Sequence, residues 1–237
     1  MSKDCDFLLL LTNKIDWGDC VAQYKSGIRT KLNIYYACEK LFYEKGYTDT
    51  TILDINNLAN STNSSFYHHY QNKLELGTLI YSAFGRRNTR TADLFGNRID
   101  PIQKFCLSLK TFWYLFFVDE NIRKFAKELN NKEAIHLKEH KNTLDLCRQF
   151  SQNEISDNEM ELIKTANLGL SLQLLSDIYN KVDRFNYIEV SDYYLKTLFR
   201  LFYIDADTIN DILTKTKELF SKCIITNEGF YVTCHLK

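Results

Sequence analysis

The stretch T-T-I-L-D-I-N-N-L-A-N-S-T-N-S-S-F-Y-H-H-Y-Q-N-K, residues 50–73, predicts two short helices joined by a tight turn. Thr51 followed by Asp54 is typical of a capping box, so a helix is expected to begin there. Asn60 tolerates the left-handed backbone conformation that a tight turn needs. Thr62 can then cap the next helix. The stretch therefore predicts a helix, a turn and a second helix.

Apolar residues on both sides extend this pattern into a larger helical unit. Upstream, one stripe of a helix recurs at i, i+3, i+4, i+7 and i+8 and consists of Ile34, Ala37, Cys38, Leu41 and Phe42. Downstream, a longer helix is expected to open at Asn72 or Lys73. A helix, a short helix, a turn, a short helix and a long helix form the layout of a helix-turn-helix motif.

The second short helix presents a polar surface when its apolar residues face inward. Phe66 and Tyr70, spaced i, i+4, form the inward face. The outward residues are Ser64 and His68, flanked by Ser65 and Tyr67. Their hydroxyl, imidazole and phenol groups can hydrogen-bond to phosphates or base edges, so the pattern favours a helix that lies against DNA.

The charge distribution favours the same surface although the whole chain is neutral. The 237 residues carry 30 Lys and Arg against 30 Asp and Glu, which argues against a protein that coats nucleic acid by bulk electrostatics. No acidic residue occurs from Ile55 to Leu74, where a phosphate backbone would approach. Lys73 begins the next helix, where its amine and free backbone N–H groups could hold one phosphate. The balance predicts weak nonspecific affinity and dependence on base contacts.

The chain from Arg29 to Leu76 resembles the DNA-binding domain of the tetracycline-repressor (TetR) family. The matching features are A-x-x-x-L-F-x-x-x-G-Y (Ala37 to Tyr47), T-T-I-x-D-I (Thr50 to Ile55) and F-Y-H-H-Y-x-N-K (Phe66 to Lys73). Each feature is weak alone, but the three are specific in this order and spacing. The remainder of the chain matches the family in length and helicity.

The resemblance implies a homodimeric transcription regulator, usually a repressor that a small-molecule effector releases. Its third helix would enter the major groove of a palindromic, double-stranded operator. By matching position, the phosphate contacts would be Thr51, Tyr67, His69 and Lys73. The candidate base readers are Asn63, Ser64, Ser65 and His68.

Two positions depart from the family pattern. The usual turn glycine is Asn60, which the tolerance of asparagine for the left-handed conformation accommodates. The usual small alanine after D-I is Asn56, which is expected to alter the packing or to reach the backbone.

The rest of the chain is predicted to be helical to nearly its end, with a last helix at 205–222. One proline and eight glycines argue against a turn-dense β fold. The stretches 157–182 and 189–204 carry two apolar faces, so they are internal or contact a second subunit; they are the predicted dimer helices. The predicted class is all-α, with an N-terminal extension (1–25), a three-helix helix-turn-helix DNA-binding domain (26–72) and a larger helical effector-binding and dimerisation domain (73–237).

The helix that follows Pro101 is the first choice for an effector pocket. The candidate lining residues are Phe105, Leu109, Phe112, Trp113 and Phe116. In the family the ligand lies among the central helices of the second domain, and ligand pockets are mostly apolar. The alternative interpretation is plain core. An apolar or aromatic small molecule is the expected effector.

No cofactor or metal is expected. The seven cysteines are scattered without a C-x-x-C motif, which favours free thiols in a reducing cytoplasm. His136 and His140 are spaced i, i+4 but lack a third ligand, so surface positions are expected. Phe7 to Leu11 is too short to span a bilayer and lacks a basic flank, and it is expected to pack against the helical body or a partner subunit.

Two hypotheses from other classes stay open. One is a co-regulator that keeps the TetR-like fold but acts through a protein partner, which the low basicity of the first domain favours: residues 26–80 hold five basic and five acidic residues. The other is a helical enzyme. The sequence shows no nucleophile–base set, paired carboxylates or phosphate loop, so the prediction is that the protein is not an enzyme.

Overall fold

A computed structural model describes residues 21–130, 141–151 and 153–237 of the chain. The regular secondary structure of the described residues is helical except for one C-terminal hairpin. The helices are α1 (Val21–Glu44), α2 (Ile52–Ala59), α3 (Asn63–His69), α4 (Lys73–Asn88), α5 (Arg90–Asp93), α6 (Pro101–Val118), α7 (Glu120–Asn130), α8 (Lys141–Gln149), α9 (Asp157–Tyr179), α10 (Tyr187–Leu201) and α11 (Ala206–Ser221), with a 3₁₀ turn at Gly96–Arg98. The hairpin strands are β1 (Cys223–Glu228) and β2 (Tyr231–Leu236).

Local hydrogen bonds set the ends of α2 and α3. The hydroxyl of Thr51 accepts the N–H of Asp54 over 3.1 Å, and the Asp54 carboxylate accepts the N–H of Thr51 over 2.9 Å. Asn60 ends α2 in the left-handed region, with φ 50° and ψ 51°. The hydroxyl of Thr62 then accepts the N–H of Ser65 over 3.2 Å and begins α3. These contacts confirm the predicted capping box, turn and second cap. We call residues 51–72 the reader segment.

One continuous apolar core joins the reader segment to the rest of the protein. Phe66 of α3 and Leu76 of α4 are fully buried in the same cluster as Phe125 of α7 and Phe230 of the hairpin. The second domain was predicted to begin at Lys73, where α4 starts. The apolar core is continuous across this position.

Two further clusters fill the interior formed by α6 and the later helices. One surrounds Cys106, Leu198 and Phe199 and includes residues of α8, α9 and α11. The other surrounds Trp113 and Phe116 of α6, which pack against α9 and α10. The predicted helix 205–222 is present as α11, and Asp205 caps it. The predominantly helical class is confirmed.

The C-terminal hairpin is an element that the sequence analysis did not predict. β1 and β2 pair antiparallel, with register from Cys223 opposite Leu236 to Glu228 opposite Tyr231. Gly229 begins the two-residue turn with φ 61°, a conformation that such turns require of their first central residue. Because an isolated two-stranded hairpin is only marginally stable in water, the stability of this one depends on its packing against the helices.

Helix α1 includes residues 21–25, which belong to the segment 1–25 predicted as an extension.

Some predictions concern residues that the structure does not describe. The apolar run 7–11 and the pair His136 and His140 lie outside the described residues. Within residues 21–130, 141–151 and 153–237, no helix is long and apolar enough to cross a membrane.

Candidate nucleic-acid interface

Helix α3 presents the polar surface that its sequence predicted. Phe66 and Tyr70 are buried, at 0% and 2% exposure, whereas Tyr67 is 57% exposed. Ser64 and His68 are exposed, and Ser65 lies between the two faces. The side chains that can meet a nucleic acid therefore project from a helix whose other face belongs to the core.

Contacts with α1 fix the C-terminal end of α3. The Tyr70 hydroxyl donates to the backbone carbonyl of Lys31 over 3.0 Å. The ammonium of Lys31 lies 5.6 Å from the centre of the Tyr70 ring. Burial raises the pKa of Tyr70 well above its ordinary value, so its hydroxyl stays a hydrogen-bond donor. These contacts hold the orientation of α3 on α1.

Asn56 anchors the turn in a way that the sequence did not reveal. Its side chain is 4% exposed, and its Nδ2 donates to the Oδ1 of Asn63 over 2.7 Å. The hydroxyl of Ser61 donates to the Oδ1 of Asn56 over 2.8 Å. Asn56 was expected to alter the packing or to reach the backbone. In the structure its side chain instead binds two other side chains and bridges the turn and the first residue of α3.

Lys73 occupies a different environment from the one expected of a phosphate contact. Its ammonium donates to the backbone carbonyls of Tyr47 and Thr50 over 2.8 and 2.7 Å. It also lies 4.4 Å from the centre of the Tyr47 ring. The Glu75 carboxylate accepts the N–H of Gln71 over 2.7 Å at the start of the same helix. Lys73 therefore ties the loop before α2 to α4, and its contact with phosphate stays a prediction.

Two more of the predicted phosphate contacts are Thr51 and His69, and each has a distinct local environment. The Thr51 hydroxyl takes part in the capping box and remains exposed. His69 is half-buried, and burial, followed by the charges of His68 and Lys31, lowers its pKa. A lowered pKa leaves His69 neutral at pH 7, so one ring nitrogen is a donor and the other an acceptor.

The acidic side chains near the reader segment are paired within the protein. Asp54 lies 3.0 Å from the ammonium of Lys45, and Asp49 lies 2.7 Å from that of Lys124. Hydrogen bonds from the backbone and hydroxyl of Thr51, and then Lys45, lower the pKa of Asp54 to about 2. Because these two carboxylates are paired with lysines, they do not offset the acid-free stretch from Ile55 to Leu74, and the Glu75 carboxylate beside it accepts the N–H of Gln71.

The residues predicted to line an effector pocket are brought together on α6. Trp113 and Phe116 are buried, with ring centres 5.3 Å apart, and Phe112 lies 5.6 Å from Trp113. The indole N–H of Trp113 is buried and has no hydrogen-bond partner among the described residues. Phe105 and Leu109 are half-buried against the neighbouring cluster. The structure places all five side chains in or against packed core, and their role in a pocket stays a prediction.

A cavity of about 430 Å³ lies elsewhere, between the 3₁₀ turn and the C-terminal strand. Its apolar wall includes Phe95, Ile99 and Leu219, and Arg98 and Lys222 stand at its edge. No local sequence pattern predicts this cavity, because one wall comes from the segment before α6 and the other from the end of α11 and the unpredicted hairpin.

Comparisons with known proteins agree with the geometry. Residues 34–77 match the profile of bacterial regulatory proteins of the tetR family. The HTH-type transcriptional regulator TtgR of Pseudomonas putida is 43% identical over 132 residues, which are 54% of this chain and 60% of TtgR. The probable HTH-type transcriptional regulator ArpR, also of Pseudomonas putida, gives the same identity and coverage. The match thus spans about 60% of the length of these curated relatives.

The same fold occurs in a solved structure of low sequence identity. RolR in complex with the ligand resorcinol aligns with a TM-score of 0.59 and 15% identity, covering 81% of this chain and 96% of that chain. RolR without ligand aligns with a TM-score of 0.55 and 16% identity, covering 77% and 96%. The profile match falls on α1 to α4, which carry the described interface. Residues 34–77 of this chain are thus similar in sequence to the tetR family of bacterial regulatory proteins, and the fold is one that RolR shares.

Proposed function

We propose that this protein is a homodimeric, DNA-binding transcription regulator of the cytoplasm, a repressor that a small-molecule effector releases from its operator. The observation that carries the proposal is the exposed polar face of α3, held on a buried core inside the segment that matches the family. Ser64, Tyr67 and His68 stand on that face. Hydroxyl, phenol and imidazole groups suit contacts with base edges and phosphates in a major groove.

Exposed apolar side chains support dimerisation through the regions near 157–182 and 189–204. Leu162 of α9 is 71% exposed and Tyr193 of α10 is 59% exposed. Both side chains lie on helices that contact each other, so they are available to pack against a second subunit. A two-fold dimer would present two α3 helices, which is why the operator is proposed to be a palindrome.

The core around Trp113 is the proposed effector site. Its buried indole N–H offers a hydrogen-bond donor inside an otherwise aromatic and aliphatic cluster. Apolar walls with few polar groups suit a small apolar or aromatic molecule. RolR, which shares the fold, was crystallised with resorcinol, a small aromatic ligand.

The DNA-binding part of the proposal is tested with the full-length protein and the DNA upstream of its own gene. We expect saturable binding in a gel shift, with affinity that falls steeply as salt rises. Tyr67→Ala is expected to weaken binding about ten-fold, since it removes a predicted hydrogen bond to a charged phosphate, a kind of bond that contributes about 1.5–3 kcal/mol. Absent or salt-insensitive binding to every genomic fragment would contradict direct DNA binding and favour the co-regulator.

A pair of lysine variants separates the two possible roles of Lys73. Lys217 on α11 is exposed and far along the chain, so Lys217→Ala is the matched control for loss of one charge. If Lys73 contacts phosphate, Lys73→Ala lowers the slope of log affinity against log salt by about 1. If it only ties the loop to α4, the melting temperature falls and the slope is unchanged.

A further inference from the structure

Asn56 and Asn63 form a hydrogen-bonded pair of amides that joins α2 to the start of α3. The Nδ2 of Asn56 donates to the Oδ1 of Asn63, and the Oδ1 of Asn56 accepts the hydroxyl of Ser61. Asn56 is 4% exposed, so both ends of a buried amide are engaged. A buried polar group that is satisfied at both ends keeps one orientation.

Asn63 differs from its partner because it lies at the exposed surface. Its Oδ1 accepts from Asn56 and therefore faces α2, and its Nδ2 makes no hydrogen bond within the described part of the chain. An asparagine amide has one acceptor oxygen and one amino group with two donors. The end of Asn63 that remains for an outside partner is therefore the donor end.

We infer that Asn56 is a positioning residue that turns the amino group of Asn63 toward the base edges of the operator. The inference rests on the proposed DNA-binding function and adds a base preference to it. Guanine presents two neighbouring acceptors, N7 and O6, in the major groove, and the two hydrogens of one amino group can meet both. Adenine is recognised through both ends of an asparagine amide, and the hydrogen bond with Asn56 turns the oxygen end of Asn63 toward α2. Asn63 therefore favours guanine over adenine.

The first step of the test is to find the base position that Asn63 governs. Full-length wild-type protein and Asn63→Ala each select sequences from a random duplex DNA library, and the bound DNA is sequenced. We expect the wild type to enrich guanine at one position in each half-site. Asn63→Ala is expected to lower that preference about ten-fold, the discrimination that one good side-chain contact with a base supplies.

Two variants of Asn56 then test the orientation of the amide. In Asn56→Asp the buried carboxylate only accepts, so Asn63 must donate inward and expose its oxygen, and the preference moves from guanine to a base edge with an amino donor. In Asn56→Ala both ends of Asn63 are free, and the preference moves to adenine. Asn57 is the exposed neighbour on α2, so Asn57→Asp and Asn57→Ala are matched controls that leave the base preference unchanged.

If Asn56 only stabilised the fold, its substitution would leave the base preference unchanged. An unchanged preference in both Asn56 variants, with an altered one in Asn63→Ala, overturns the positioning role. An unchanged preference in Asn63→Ala overturns the reading role of Asn63 as well. A wild type without any sequence preference refutes the proposed function itself, and the inference with it.

If circular dichroism shows that the Asn56 variants do not fold, Asn63→Asp provides a further test. Asn63→Asp retains an acceptor for the Nδ2 of Asn56, so it should stay folded. It removes the outward donors, and the guanine preference should fall about ten-fold. A folded Asn63→Asp that keeps the guanine preference overturns the inference.

Discussion

The reader segment and the C-terminal hairpin are held by opposite kinds of contact. In the reader segment, most hydrogen bonds join residues close in sequence, such as Thr51 with Asp54 and Asn56 with Asn63, and the bond from Tyr70 to Lys31 of α1 is the exception. In the hairpin, the carbonyl of Phe230 accepts from Arg87, 143 residues away along the chain. The Nδ2 of Asn227 donates to the Asp119 carboxylate, 108 residues away, over 2.6 Å. One region is shaped by its own sequence, and the other by the helices it meets.

This difference sets the expected size of the effect of a substitution. A cap in the reader segment satisfies one or two backbone groups at a helix end. A residue of the hairpin that enters the shared core supports packing against α1, α4 and α7 at once. Substitutions in the core of the hairpin should therefore be more costly to the whole protein than substitutions of caps in the reader segment.

The largest effect is expected from Phe230→Ala. Phe230 is 1% exposed, and its ring centre lies 4.5 Å from that of Phe125 and 5.7 Å from that of Phe84. Removing a buried ring leaves a cavity, and the free energy of unfolding should fall by about 4 kcal/mol. Urea unfolding measures it. Ile224→Ala, at a position of the same hairpin that is 46% exposed, is the control. Equal losses in the two variants would show that the hairpin is not part of the core.

A smaller loss is expected when the buried ion pair between α1 and α4 is opened. The guanidinium of Arg87 lies 2.6 Å from the Glu39 carboxylate, with side chains 7% and 8% exposed. Glu39→Ala leaves a buried charge without its counter-ion, so the free energy of unfolding should fall by about 3 kcal/mol. Glu44→Ala breaks the exposed pair with Lys40 and should cost only about 0.5 kcal/mol.

The double variant Glu39→Leu/Arg87→Met distinguishes the pair from the packing around it. Replacing both charges by apolar side chains removes the desolvation cost of the pair, so the double variant should be more stable than Glu39→Ala. A double variant as unstable as the single one would show that the two side chains act through their other contacts. The Arg87 guanidinium, for example, also lies 3.9 Å from the ring centre of Tyr231.

A cap in the reader segment should matter less to stability. Thr62→Ala removes the acceptor for the N–H of Ser65 at the start of α3, which should cost about 1 kcal/mol in thermal or urea unfolding. Thr233→Ala, at an exposed position of β2, is the control of the same chemistry and should change stability by no more than about 0.5 kcal/mol. A loss from Thr62→Ala that matches that of Phe230→Ala would contradict the local character of the reader segment.

The smallest effect is a pH dependence at the start of α2. The pKa of Asp54 is lowered to about 2 in the folded protein, from an ordinary value of 3.8. A group whose folded pKa is lowered stabilises the fold above its ordinary pKa, and the contribution is lost as the pH falls toward the folded value. The melting temperature of Asp54→Asn should lie below that of the wild type at pH 5, and the two should converge between about pH 4 and pH 2. Asp183→Asn, at an exposed position, is the control, and a gap as large at pH 2 as at pH 5 would contradict the assignment.

Much of the reader segment could be predicted because its contacts lie within one or two helical turns. The Thr51 capping box, the left-handed Asn60 and the Thr62 cap each involve neighbours in the sequence. The outward face of α3 followed from the spacing of Phe66 and Tyr70. The hydrogen bond between Asn56 and Asn63 could not be predicted, because their spacing in the sequence does not show which atoms of the two amides will meet.

Lys73 illustrates the same limit. Its position at the start of α4 suggested a phosphate contact, but the carbonyls that it binds belong to a loop more than twenty residues earlier. Those carbonyls become available to an amine only when α1 ends at Glu44 and the chain turns back beside α4. The distance in sequence hid this contact from any local pattern.

By itself, the sequence determined the helical class, the helix-turn-helix and the polar face of α3, because caps, turn residues and apolar spacing act over a few residues. Only the tertiary structure decided that the hairpin forms, that Arg87 and Glu39 share a buried ion pair, and that Lys73 binds the carbonyls of Tyr47 and Thr50. The physical reason is distance along the chain. A hydrogen bond or a packed ring between remote residues leaves no periodic signal, and it exists only once the core has brought the two partners together.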